Sequence, residues 1–234
     1  MREPLSVAVA QPPCVSYDVG TNALTAAATV RLADARVVVF PELFLTGYEL
    51  DASAISVDDP QLRPIAETCA DTDSLALVGA PVSGDAGKTH IAMMAIDAAG
   101  ATVPYHKMWL GAAESNRFTA GDTPAVIDID GWRLGLAVCK DISIPQHASD
   151  TAALGIDAYL AGTLESAEDA ALQAERARRV ATAHDVWVAV ASFAGSTGGG
   201  FAQAAAHSAI WAPNGAVMDE AGPEPGAIAR ATFA

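Results

Sequence analysis

The chain has 234 residues, about half of them apolar and 18% charged, with a formal net charge of -15. That length and apolar content suffice for one sizeable core, and a single domain over residues 1–234 is expected. Thirteen Lys and Arg against 28 Asp and Glu argue against a nucleic-acid or anionic-membrane partner, because phosphate contacts need clustered cations.

The N-terminal MREPLSVAVAQPP holds too short an apolar run for a secretory signal, so no targeting peptide is expected. Leu5 to Ala10 is β-like. Thr21 to Ala35, Ala-rich behind the capping-type Thr21 and Asn22, reads as a helix. Arg36 to Phe40 (RVVVF) has the β-branched run of a strand covered on both faces, and strand, helix, strand opens an α/β fold. Gln61 to Ala70 predicts a second helix and Ser74 to Ala80 another buried strand. Three hairpins come next, each two apolar runs around a tight-turn dipeptide: His90 to Val103 around Ala99-Gly100, Ala125 to Val138 around Asp130-Gly131, and Ser208 to Met218 around Asn214-Gly215. Hairpins mean antiparallel pairs, so mixed sheets are expected. Between the last two lie a strand at Gly155 to Leu160, an amphipathic helix at Glu165 to His184 and a strand at Val186 to Ala191. The uncharged stretch between Asp185 and Asp219 is broken by Gly198-Gly199-Gly200 and Pro213-Asn214-Gly215, which makes it buried sheet rather than a membrane span.

Cys14, Cys69 and Cys139 are widely spaced and odd in number, which fits neither a disulfide framework nor a metal knuckle and points to the reducing cytoplasm. Five histidines, His90, His106, His147, His184 and His207, lack metal-ligand spacing. No metal and no cofactor are expected. The GSTGGG run at Gly195 to Gly200 lacks the lysine of a phosphate loop and reads as a lid or a plain connection.

Two strands stop on reactive groups. RVVVF runs into Pro41-Glu42, and RLGLAV ends at Cys139-Lys140-Asp141. A carboxylate directly after a buried run needs a partner or a cleft edge. With only three lysines in the chain, Lys107, set in Tyr105-His106-Lys107-Met108-Trp109, is the candidate partner. Glu, Lys and Cys together can cleave an acyl bond: a thiolate attacks, a carboxylate moves the proton, and an ammonium stabilises the oxyanion. Taken singly, a residue such as Cys139 is more often a small core residue, and one such as Lys107 a snorkelling surface residue.

Three segments resemble the three signatures of the nitrilase superfamily, the carbon–nitrogen hydrolases: VVVFPELFLTGY at Val37 to Tyr48, YHKMWLGAAESNRFTAGD at Tyr105 to Asp122, and GWRLGLAVCKDISIP at Gly131 to Pro145. Their order and spacing agree, and the likeness runs on to the WAPNG hairpin at Trp211 to Gly215. The resemblance implies an α/β four-layer αββα sandwich with mixed sheets. It also implies a Glu-Lys-Cys triad of Glu42 as general base, Lys107 as oxyanion stabiliser and Cys139 as nucleophile, with Glu114 as a second carboxylate. The strand would then end at Cys139 so that a sharp turn presents the sulfur and the Lys140 N–H. Tyr48, Trp109 and Phe44 are candidates for the pocket wall. Lys140 either pairs with Asp141 or Asp150 or points into the pocket mouth. The implied activity is hydrolysis of a small amide through a cysteine thioester, with release of ammonia or an amine. Nitrile hydrolysis, N-carbamoyl hydrolysis and acyl transfer use the same thioester, and a catalytically silent binding or assembly module is the alternative of another class. A homodimer or higher homo-oligomer is expected, through the Ala-rich helix at Glu165 to His184. Departures from the pattern are Lys140 itself, Gln146, Ala183-His184 and His207-Ser208.

Overall fold

A computed structural model of the protein describes residues 2–234. In chain order the elements are β1 (Leu5–Ala10), α1 (Val19–Ala33), β2 (Val37–Val39), α2 (Arg63–Thr72), β3 (Leu75–Ser83), β4 (Thr89–Asp97), β5 (Gly100–His106), β6 (Val126–Ile129) and β7 (Trp132–Val138). Then come α3 (Pro145–Ala152), β8 (Ala158–Thr163), α4 (Ala170–His184), β9 (Trp187–Ser192), β10 (Ala194–Gly195), β11 (Ala204–Ala205), β12 (Ala209–Trp211), β13 (Val217–Glu220) and β14 (Ile228–Phe233).

The large strands form two six-stranded mixed sheets, ordered β14-β1-β2-β3-β4-β5 and β13-β12-β9-β8-β7-β6. In each the middle three strands run parallel, β1-β2-β3 and β7-β8-β9, and the flanking ones antiparallel. Period-two alternation decides which side chain enters which layer. Val7, Val9, Val37, Val39, Leu134, Leu136 and Val138 meet in the core between the sheets. The intervening Ala8, Ala10 and Val38 turn outward to pack with Ala23, Ala26 and Val30 of α1 and Ile65 of α2. On the other side Ala137, Tyr159, Ala161, Val188 and Val190 pack with Ala177, Val180 and Ala181 of α4. Small residues on the outward faces let the helices approach closely. The layers therefore read helix, sheet, sheet, helix, the αββα arrangement expected.

Several boundaries differ from expectation for local reasons. The helix expected from Glu165 begins at Ala170, because Glu165 stays at the sheet end and pairs with Arg176. The last hairpin keeps its antiparallel pairing, but five residues separate its strands and the register shifts at Ile210/Trp211. The C-terminal β14 has no counterpart among the expected strands; it closes the first sheet by pairing antiparallel with β1. Among the described residues no helix is long and apolar enough to cross a membrane.

Candidate active site

Glu42 arrives on a segment squeezed between the sheets. The Phe40 N–H still bonds Leu77 O at 2.9 Å, and the chain then crosses two glycines. A Cβ on Gly79 of β3 would sit 2.4 Å from Leu43 N and 2.5 Å from Pro41 O, and one on Gly162 of β8 would sit 2.5 Å from Phe40 O. Only hydrogen fits there, which is how a carboxylate comes to lie fully buried at the ends of strands from both sheets. Lys107 directly succeeds β5. Its N–H bonds Ile91 O and its carbonyl accepts from the Gly121 N–H, both at 2.8 Å, so the segment after the lysine folds back on its own start. Cys139 ends β7 at the first position of a 3-10 turn, Cys139–Ser143, with a left-handed φ of 46° that L residues adopt only when held there.

These side chains converge. The Lys107 ammonium lies 2.6 Å from Glu42 Oε1 and 2.8 Å from both carboxylate oxygens of Glu114. Glu114 also accepts from the Gly111 N–H at 2.6 Å and from the Tyr48 hydroxyl at 2.9 Å. The Cys139 thiol donates to Leu164 O at 3.2 Å, which leaves Glu42 Oε2 buried and without a hydrogen-bond partner, although the thiol is near enough to act on the carboxylate. One ammonium between two carboxylates gives this buried cluster an excess negative charge. Burial pushes Glu42 up from 4.5 to about 7, Lys107 opposes the rise and Glu114 adds to it. Burial works against the Lys107 ammonium, but Glu42, Cys139 and Glu114 outweigh it and hold its pKa above the usual value. Burial also works against Glu114, yet Lys107, Gly111 and Tyr48 keep it below the ordinary range. Cys139 is raised well above a free thiol by burial and then by Glu42, against which Lys107 acts. The resting sulfur is therefore a thiol, and it reacts only if a base accepts its proton. Among the described residues no group of three or more His, Cys, Asp or Glu is placed to hold a metal ion.

The other candidates take different places. Tyr48 reaches the cluster through Glu114. The Trp109 indole packs edge-on against His147, and its backbone N–H is pinned 2.9 Å from Asp141 Oδ1. The Lys140 ammonium bonds Leu110 O at 2.8 Å, so it pairs with neither Asp141 nor Asp150: Asp141 is wholly buried, and Asp150 accepts from Gln146. Phe44 is not at the site; it is buried in the helix-side core with Phe40 and Phe193. The glycine-rich connection docks on the end of the glutamate segment, where Gly198 N–H and the Thr197 hydroxyl both bond Gly47 O. Sequence reasoning missed Asp141 as a member of the site. The desolvation argument that singled out Glu42 applies equally to a carboxylate three residues past a buried strand.

A four-layer αββα sandwich that gathers Glu, Lys and Cys where strands of both sheets end is the architecture of the nitrilase superfamily. The chain belongs to the carbon-nitrogen hydrolase family, whose sequence model matches residues 6–233. It is 33% identical over 138 residues to a protein named "Hydrolase in pqqF 5'region" from Pseudomonas protegens, covering 56% of this chain and 48% of that one. It is 25% identical over 131 residues to an (R)-stereoselective amidase of Pseudomonas sp., covering 54% and 47%. The chain thus spans about half the length of these curated relatives. Among solved structures, Saccharomyces cerevisiae Nit3, a member of branch 10 of the nitrilase superfamily, superposes with a TM-score of 0.87 at 22% identity, over 99% of this chain and 90% of that one.

Proposed function

We propose that the protein hydrolyses the carbon–nitrogen bond of a small amide through a thioester on Cys139. Sγ attacks the carbonyl carbon as its proton passes to Glu42 Oε2. The oxyanion is stabilised by the Lys107 ammonium and the Lys140 backbone N–H. On collapse, Glu42 returns the proton to the nitrogen, which leaves as ammonia or an amine. Water then attacks the thioester, with Glu42 as base, and releases the acid and the thiol. Glu114 holds Lys107 and is held by Tyr48, while Tyr48, Trp109 and Lys140 frame the pocket. The observation that carries this reading is Glu42 Oε2: a buried, unpartnered carboxylate oxygen beside a thiol whose proton must go somewhere. The amidase named among its relatives supports the choice of amides. The acidic surface and the free cysteines fit the cytoplasm.

The test is ammonia release from a panel of small amides, ureido acids and nitriles, with intact mass recorded after a brief pulse of the best substrate. An acyl adduct on Cys139 that vanishes in Cys139→Ala is expected. An adduct on Cys14 or Cys69 would overturn the assignment. Preference for nitriles, ureido acids or an acyl acceptor would move the reaction to those chemistries, and silence across the panel to a binding module.

A further inference from the structure

Asp141 lies at the centre of a hydrogen-bond chain that the reaction above does not use. Burying the Asp141 carboxylate is costly unless its oxygens are bonded, and both are. Oδ1 accepts from the Trp109 N–H, and Oδ2 accepts from the Val138 N–H, both at 2.9 Å. Oδ2 also lies 2.7 Å from the Tyr105 hydroxyl, which is 2.8 Å from His147 Nε2; His147 Nδ1 is in turn 2.7 Å from the Tyr159 hydroxyl. All four side chains are buried. Burial lowers the His147 pKa, and Asp141 and Asp150 oppose it. Burial pushes Asp141 up, and His147, Tyr105 and the two N–H groups counter it.

Each hydroxyl has one proton, so with Asp141 as a carboxylate and the imidazole in its neutral form the directions follow. Tyr159 donates to Nδ1, Nε2–H donates to the Tyr105 oxygen, and Tyr105 donates to Asp141. The far end of this chain touches two different parts of the site. Val138 immediately precedes Cys139, and Trp109 lies two residues past Lys107.

We propose that His147 is a positioning residue, holding Asp141 through Tyr105 so that the Cys139 turn and the Lys107 segment stay in register. It rests on the reading of Cys139 as nucleophile and Lys107 as its partner. The left-handed Cys139 needs such restraint, since nothing in its own side chain favours that conformation. Tyr105, Trp109 and Tyr159 pack around the imidazole with ring centroids 5.9, 5.5 and 5.7 Å away, so its direction is also fixed sterically.

The experiment compares His147→Phe, His147→Gln and Tyr159→Phe with the wild type. The first removes both hydrogen bonds, the second can restore both, and the third removes only the outer one. Two readouts are taken on protein shown to be folded by its melting transition: kcat and KM on the best amide, and the rate of Cys139 carbamidomethylation by iodoacetamide, mapped by peptide mass. His147→Phe should lower kcat roughly 10- to 100-fold with KM little changed, the scale expected when reacting groups are misplaced by about an ångström. It should slow Cys139 alkylation at least about fivefold, His147→Gln should recover both readouts to within about threefold, and Tyr159→Phe should fall between. An unchanged or faster alkylation in folded His147→Phe overturns the proposal; if that variant does not fold, unchanged alkylation and kcat in Tyr159→Phe overturn it. Slowed alkylation in a protein whose wild type turns over no amide sustains the positioning role and sinks the amidase reading instead.

Discussion

Replacing Glu42 by Gln should sharply reduce turnover and yet make the protein more stable, by an amount that depends on pH. The buried cluster holds two carboxylates against one ammonium, and the substitution removes the excess charge while Glu114 still neutralises Lys107. Glu42 rises from 4.5 in the unfolded chain to about 7 in the folded one. Below about pH 4.5 both states hold the proton and nothing differs. As pH climbs towards 7 the unfolded chain releases its proton first, so wild-type stability falls, and above 7 the full difference of roughly 3 kcal/mol is lost. Glu42→Gln escapes this loss. Its melting temperature at pH 8.5 should therefore exceed the wild type's by roughly 6–12 °C for a chain of this size, and the gap should shrink to roughly a quarter of that at pH 5. Urea unfolding at several pH values measures it, because groups outside the buried cluster titrate alike in the two proteins and cancel. Activity at pH 8 should drop about 10²- to 10⁴-fold, the usual contribution of a positioned base. A gap that is absent at pH 8.5, or equally large at pH 5, would refute an excess buried charge carried by Glu42.

The same group should set the acid limb of the rate profile: Glu42 must be ionised to take the thiol proton, so kcat/KM should fall below a midpoint near pH 7, and a flat profile down to pH 5 would remove it as the base. Gly79→Ala should lower stability by about 2 kcal/mol or more and reduce activity as well, because the new methyl meets the backbone of Pro41 and Leu43 at 2.4–2.5 Å; normal stability and turnover would mean that the crossing is not tight. Light scattering at micromolar concentration should give a dimer mass, through helices such as α4 that expose Leu172 among small side chains. A monomer mass would end that expectation.

The strand ends were legible because burial and charge conflict there. Val37–Val39 and Leu134–Val138 are apolar runs, and Glu42 and Cys139 succeed them so abruptly that a site was the economical reading. Lys107 stood out by rarity, as one of three lysines. The Asp141 chain was not legible, since its links join β5, the turn after β7, α3 and β8, and no spacing along the sequence announces that Tyr105 and Tyr159 share one imidazole. Lys140 has aspartates close by in sequence at Asp141 and Asp150, which makes a local ion pair the natural expectation, whereas its bond reaches back 30 residues to Leu110. β14 is hidden because its core-facing positions are mostly alanine, which gives no β-branched run to mark a strand; its strand character comes from the free edge of β1, a partner more than two hundred residues away.

Glu42 and Lys107 are carried by the first sheet and Cys139 by the second, and the glycines that admit Glu42 come one from each. Neither half of the molecule thus owns a reaction centre. In the proposed mechanism the nucleophile and its base become neighbours only where the two sheets meet face to face, so chemical competence would belong to the seam.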